Sequence, residues 1–341
     1  MRLSQTQIER IAAESSFRAE PLEKVMWLLE LLEALRSHPF LEDRLILKGG
    51  TALNLFVLEL PRLSVDIDLN YIGAVDRETM LAERPKVEQA VQAVCAREGM
   101  RIKRMPGEHA GGKWRLAHTR ASGGSGALEL DLNFLVRVPL WPPVMQDSLP
   151  VGSVVARRIP IVDLHELAAG KLSALFSRSA SRDLFDVRGL LLQGGFDRRR
   201  LRSAFVLYGG MSRRDWRTVS IDEVRMDPVD ADRRLLPLLR ADETPTRRDL
   251  EPWCRHLVAE CREQLSVVLP LKAAEMEFLD LLNDHGEIAP DRLTDETLLQ
   301  ERIRSHPALL WKALNVRQHR GLGGSGRSRP GPSTVISIRS S

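Results

Sequence analysis

Val65-Asp-Ile-Asp-Leu-Asn-Tyr71 alternates without a break. Val65, Ile67, Leu69 and Tyr71 fall on one side, and Asp66, Asp68 and Asn70 on the other. A period of two is the mark of a strand with one buried and one polar face. Both aspartates then project from the same face, about 7 Å apart along the backbone. A second stretch, Leu128-Glu-Leu-Asp-Leu-Asn-Phe134, repeats the pattern, with Glu129, Asp131 and Asn133 on its polar side. A lone D-x-D reads as an ordinary solvated strand face. Two such strands side by side gather three carboxylates, which repel unless a proton or metal lies between them. Hard oxygen ligands suit Mg²⁺, which one or two carboxylates usually hold together with substrate phosphates. Asp66 and Asp68 are therefore the expected metal ligands. Asp131 is favoured over Glu129 as the third.

Upstream stands Lys48-Gly49-Gly50-Thr51. It lacks the glycine directly before the lysine that a Walker A loop requires. Its two glycines still let a backbone approach a ligand, and N–H groups at a helix start bind phosphate. Thr51 is expected to cap that helix and offer its hydroxyl. Arg62 and Ser64 lie on the loop that leads into the D-x-D strand. Downstream, the spacing predicts a helix over 163–178. Leu164, Leu167, Ala168, Leu172, Leu175 and Phe176 form its apolar side, and Lys171 stands at the border of that stripe. A lysine there either snorkels or neutralises a triphosphate. The next helix is expected from Ser181, as its cap, to about Leu192. Asp183 and Asp186 fall in its first turns, and Gly194-Gly195 closes it.

The chain has 341 residues, enough for two domains of ~150 residues. With 43% hydrophobic and 28% charged residues it has the balance of a globular protein, which excludes collagen-like and wholly disordered classes. The net charge of +4 is too small to name a partner on its own. Cys95, Cys254 and Cys261 fit no zinc spacing and no extended disulfide framework, which points to a reducing, cytoplasmic setting. No apolar run approaches the ~18–20 residues of a membrane span, and the charged N-terminus has no signal-peptide core. His165-Glu166 lacks the second histidine of a zincin motif, and no G-x-S-x-G elbow occurs.

Further elements are expected as helix over 5–37, strand at 45–47, and helices over 52–60 and 76–98. Strands are expected around 101–105 and 113–118, with a turn at Gly123-Gly124-Ser125-Gly126. The mixture makes residues 1–195 an α/β or α+β domain with N-terminal helices. A helical domain is expected over 196–320, with helices over 251–285 and 293–315. Its opening segment, 198–217, carries seven arginines against the single acid Asp215, and Trp216 among them suggests phosphate contact with base stacking. Residues 321–341 contain Gly, Ser, Pro and Arg but no acid, and read as a disordered basic tail.

Taken in order, Lys48-Gly-Gly-Thr-Ala-Leu-Asn-Leu-Phe56, Arg62-x-Ser64-x-Asp66-x-Asp68, Glu129-Leu-Asp131, Lys171-x-x-Ala174-Leu175 and Arg182-Asp183-x-x-Asp186 resemble the AbiEii/AbiGii toxin family of nucleotidyltransferase-like proteins, which includes the MenT toxins. The resemblance covers residues 5–320. It implies a DNA-polymerase-β-like nucleotidyltransferase core with a mixed sheet, followed by a helical C-terminal domain. It implies a toxin of a bacterial toxin–antitoxin or abortive-infection system, encoded beside an AbiEi-type antitoxin. Some family members transfer a nucleotide from an NTP to the 3′ end of tRNA and so stop translation. By the same resemblance, Gly49, Gly50 and Ser64, with Lys48 and Thr51 beside them, meet the phosphates. Asp66 and Asp68 hold Mg²⁺, Lys171 binds the triphosphate, and Asp183 completes the site. Asp131 is then expected to orient or deprotonate a ribose hydroxyl of an RNA acceptor. Two alternatives remain. One is a nucleotide-binding protein without turnover, against which the intact Asp66, Asp68 and Lys171 argue. The other is transfer to a small molecule or a protein hydroxyl, which a fold alone does not exclude.

Overall fold

The computed structural model describes residues 3–107 and 111–321. The expected tail, apart from Gly321, lies outside them. The chain opens with α1 (Gln5–Ser15) and α2 (Ala19–Arg36). The expected continuous helix divides because Ser16 takes a left-handed conformation, φ 60°, which ends the first segment. Ser4 caps α1 in a reciprocal box with Gln7. Strand β1 (Leu45–Lys48) runs straight into the short helix α3 (Gly49–Ala52), which continues as a wider turn over Leu53–Val57. Then follow β2 (Asp66–Tyr71), α4 (Arg77–Arg97), β3 (Arg101–Arg104), β4 (Gly111–Thr119), β5 (Ser125–Asn133), β6 (Val144–Gln146) and β7 (Ile159–Ile161).

These strands form one mixed sheet in the order β3-β4-β5-β2-β1-β7-β6. The β2–β5 and β1–β7 pairs are parallel, and the others antiparallel. The period-two reading explains the layering. Ile67, Leu69, Trp114, Leu116, Leu128, Leu130 and Leu132 are buried on one face, where α2 and α4 cover the sheet. Burying seven such side chains supplies roughly 1.5–3 kcal/mol each before the entropy of ordering them is subtracted. The opposite face carries the acidic residues and meets α3.

Two helices then build the wall of that polar face. These are α5 (Leu164–Arg178), capped by Asp163, and α6 (Ser181–Gln193). Ser181 is not the cap. Ala180 holds that position, and the Ser181 N–H donates to Asp230 at 2.9 Å. The helical region comprises α7 (Arg198–Met211), the single turn α8 (Pro228–Asp230), α9 (Leu250–Gln264), α10 (Ala273–Asp280), α11 (Thr297–Ser305) and α12 (Pro307–His319). Helix α7 packs on α5 and α9 on α6, so the apolar core runs on from the sheet region into these helices. The buried Arg202–Glu275 pair, 2.6 Å, ties α7 to α10. The expected helix over 251–285 breaks at Pro270, and the one over 293–315 divides at His306-Pro307 into α11 and α12. No helix among the described residues is long and apolar enough to cross a membrane.

Candidate active site

The site is built on strand register. Asp68 pairs directly with Asp131 on β5 and with Lys48 on β1. Asp131 in turn pairs with Lys113 on β4. Directly paired residues share a face, so one row across four strands reads Lys48, Asp68, Asp131, Lys113. The next row holds Asp66, Glu129 and Arg115. The acidic faces expected of residues 65–71 and 128–134 are therefore neighbours.

Gly49 closes the row at one end. It has φ +75°, a conformation open mainly to glycine. A Cβ at this position would lie 2.2 Å from Asp68 Oδ2. Gly50 stands beside it, and a Cβ there would approach Ser64 Oγ at 3.0 Å, the Arg62 guanidinium at 3.1 Å and Lys171 Nζ at 3.3 Å. The two glycines thus let the β1–α3 turn lie against the Asp68 carboxylate and the Lys171 ammonium.

The helix wall is an ion-pair network. Asp186 is fully buried and accepts two hydrogen bonds from Arg62, at 2.7 and 2.6 Å. Lys171 Nζ lies 2.6 Å from Asp186 Oδ2, the oxygen that also accepts from Arg62, and 3.4 Å from Asp183. Asn54 Nδ2 also donates to Asp186 and to the Gly50 carbonyl, both at 3.0 Å. Arg178 grips Asp183 with two hydrogen bonds, at 2.5 and 2.9 Å. Burial pushes both carboxyl pKa values up, but their cationic partners outweigh it and hold Asp183 and Asp186 below the usual range. Asp68 differs. Burial raises its pKa, Lys48 and Lys171 lower it, and the neighbouring Asp131 and Asp66 carboxylates raise it again, leaving it above the usual value.

These groups border an open cleft lined chiefly by charged side chains, among them Asp66, Asp68, Asp131, Lys113, Lys171 and Arg182. Its donor set is hard oxygen, which fits a divalent cation shared with phosphates. The expected three-carboxylate cluster is nonetheless looser than the sequence suggests. Among the described residues no three candidate ligands converge tightly enough to hold a metal unaided. Asp66 leans instead toward Arg182, 3.5 Å away.

Two expectations need revision. Thr51 does not cap the helix, since Lys48 stands at the cap position. Its side chain is fully buried, and its hydroxyl donates to the Asp66 carbonyl at 2.5 Å, bracing α3 against β2. Trp216 is no base-stacking platform. It is completely buried, against Phe176 and Phe205. Several arginines around it are spent on structure, Arg202 on Glu275, Arg214 on Glu223, and Arg217 on Asp215, Asp280 and Asp284. Arg62, Asn54 and Asp186 stand in the quoted motifs without an assigned role, and they form the site wall together, since Arg62 and Asn54 both donate to Asp186 from positions distant in sequence. Ser64, Asp183 and Lys171 do come together with Gly50 around the cleft.

A family model described as the nucleotidyl transferase AbiEii toxin of type IV toxin–antitoxin systems matches residues 30–313. The MenT4 nucleotidyltransferase toxin from Mycobacterium tuberculosis has a similar solved structure, with a TM-score of 0.61 at 18% identity. The alignment covers 91% of this chain and 99% of that one. At that identity the likeness establishes the fold. A comparison with curated proteins finds no match. The matched span contains every motif of the cleft, from Lys48-Gly49-Gly50 to Asp186, and the chain belongs to the AbiEii family of nucleotidyltransferase toxins, whose systems pair each toxin with an antitoxin.

Proposed function

We propose that the chain transfers a nucleotide from an NTP to RNA in a Mg²⁺-dependent reaction, with the 3′ end of tRNA as the acceptor, and so blocks translation in the cytoplasm. An AbiEi-type antitoxin encoded nearby is its proposed partner. The observation that carries this reading is the row Lys48–Asp68–Asp131 beside the Gly49-Gly50 turn and Lys171.

In this reading Asp66 and Asp68, with Asp131, hold Mg²⁺. The bound ion would offset the charge that accumulates on the phosphates as pyrophosphate leaves. Gly49, Gly50 and Ser64 meet the phosphates, and Lys171 neutralises the triphosphate. Asp183 completes the site by holding Lys171 and Arg178. Lys48 tempers the acidic row from β1, and Thr51 keeps α3 in place. Asp131 orients the ribose hydroxyl and takes its proton as the oxygen attacks the α-phosphorus. The bond to pyrophosphate then breaks on the opposite side.

The test is incubation of the protein with Mg²⁺, each of the four labelled NTPs and total tRNA. Label on tRNA with one NTP supports the reading. Label on a protein or small molecule in a lysate, with none on RNA, replaces the acceptor. Tight NTP binding without turnover on any acceptor makes the chain a nucleotide-binding protein.

A further inference from the structure

We propose that the RNA acceptor enters the cleft over the outer edge of the sheet, its phosphates held by Arg115 of β4 and by Arg101 and Arg104 of β3. The inference rests on the RNA-acceptor reading and assigns the surface that reading lacks.

Strand register carries the first part. Lys113 pairs with Asp131 and Arg115 with Glu129, so both cations lie on the carboxylate face, one strand further out. On β3, Arg104 pairs with Arg115 and Arg101 with Ala117, which places both arginines on that same face. Ile102, paired with Leu116, faces the core. The polar face therefore changes sign, from carboxylates on β2 and β5 to cations on β4 and β3.

Charge carries the second part. Arg101, Arg104 and Arg115 are exposed. None has a carboxylate within ion-pair distance among the described residues, whereas the arginines of the helix wall are paired. Like charges placed directly opposite each other on neighbouring strands are destabilising. The Arg104–Arg115 pair is such a juxtaposition. A polyanion lying across the strands relieves it.

The reaction's direction carries the third part. The glycine turn and Lys171 lie on the helix side of Asp68, and the leaving pyrophosphate belongs there. In-line attack brings the acceptor oxygen from the opposite side, where Asp131 and then β4 lie. The acceptor chain thus leaves the site across β4 and β3, away from α7.

The test compares full-length wild type with two triple variants, Arg101→Gln/Arg104→Gln/Arg115→Gln and, on and beyond α7, Arg198→Gln/Arg199→Gln/Arg213→Gln. Binding of labelled tRNA is measured by anisotropy across a salt series, with NTP affinity and gel filtration alongside. The strand variant should bind tRNA about tenfold or more weakly at 0.15 M salt. Its slope of log K against log salt should flatten by about two to three units, one for each lost phosphate contact. NTP affinity should stay within about twofold, and the α7 variant should behave as wild type. Wild-type RNA affinity and slope in the strand variant would overturn the proposal while leaving the RNA reading intact. If that variant also self-associates, the arginines serve to guard a sheet edge, which equally overturns it. A wild-type protein that turns over NTP but neither binds nor labels tRNA removes the RNA reading itself, and the proposal with it.

Discussion

The carboxylate of Asp186 lies 2.6 Å from the Lys171 ammonium while receiving both forks of the Arg62 guanidinium. Two cations from different parts of the chain thus share one buried anion. Lys171 is held at the floor of the cleft by this contact, next to Gly50. In the proposed reaction Asp186 positions Lys171 toward the phosphates without touching the substrate itself.

Asp186→Asn should therefore unbalance the wall. One buried anion is lost and two cations remain, an arrangement that costs about 3–5 kcal/mol. The sign of its pH dependence follows from the lowered carboxyl pKa. Such a group stabilises the fold above its unfolded pKa, and that stabilisation is lost as pH falls through the folded value. Urea denaturation of wild type and variant should thus differ by a constant amount from about pH 5 to 8. The gap should begin to narrow below about pH 4 and shrink further as the pH falls toward the lowered folded value.

Glu166 predicts the opposite slope. It is buried on α5, and burial raises its carboxyl to about 8, against hydrogen bonds from Trp141 N–H, Tyr208 and Leu140 N–H. The folded protein then keeps the proton while the unfolded chain loses it. Stability is full below the unfolded value near 4.5 and falls as pH rises toward 8. The loss is of order 4 kcal/mol over that range. Glu166→Gln mimics the protonated form, so its stability should be flat between pH 5 and 8. Parallel curves for the two proteins would show that Glu166 ionises in place.

Gly49→Ala should separate the turn from the carboxylate. Its Cβ would sit 2.2 Å from Asp68 Oδ2, at a backbone φ of +75°. The strained backbone costs about 1–3 kcal/mol. Displacement of Asp68 should reduce nucleotidyl transfer by about 100-fold or more. Transfer assayed at matched folded fraction, measured by circular dichroism, checks both parts.

Trp216→Ala should be a stability mutation. The indole fills the space between Phe176, Phe205 and Gly209. Its removal should cost about 3–5 kcal/mol, with no change in the salt dependence of RNA binding by the folded protein. A flattened salt slope would return Trp216 to the RNA surface.

Legibility in the sequence divides along lines of range. The two alternating stretches declared β2 and β5, because period-two burial is a local property. The residues around Lys171 and Asp183 announced themselves through an apolar stripe with a charge at its edge. What stayed hidden was non-local. Nothing near Arg62 points to Asp186, 124 positions away. Strands β6 and β7 have three residues each, one containing Pro160, too short for a period to show. Trp216 was misread because its neighbours are arginines. Two of the acids that pair with Arg217, Asp280 and Asp284, come from α10 and the turn after it, which the local sequence does not display.

The most direct test of the account is nucleotidyl transfer by Asp68→Asn, measured with labelled NTP, Mg²⁺ and tRNA beside a thermal melt without metal. Asp68 sits between Lys48 and Asp131 with its carboxyl raised by burial. Removing its charge should leave the metal-free melt equal to or above wild type. Transfer should fall at least about 1,000-fold, the scale lost when a preorganised charge-stabilising group is removed. Transfer at the wild-type rate by a folded Asp68→Asn protein would contradict the placement of the reaction at this cleft.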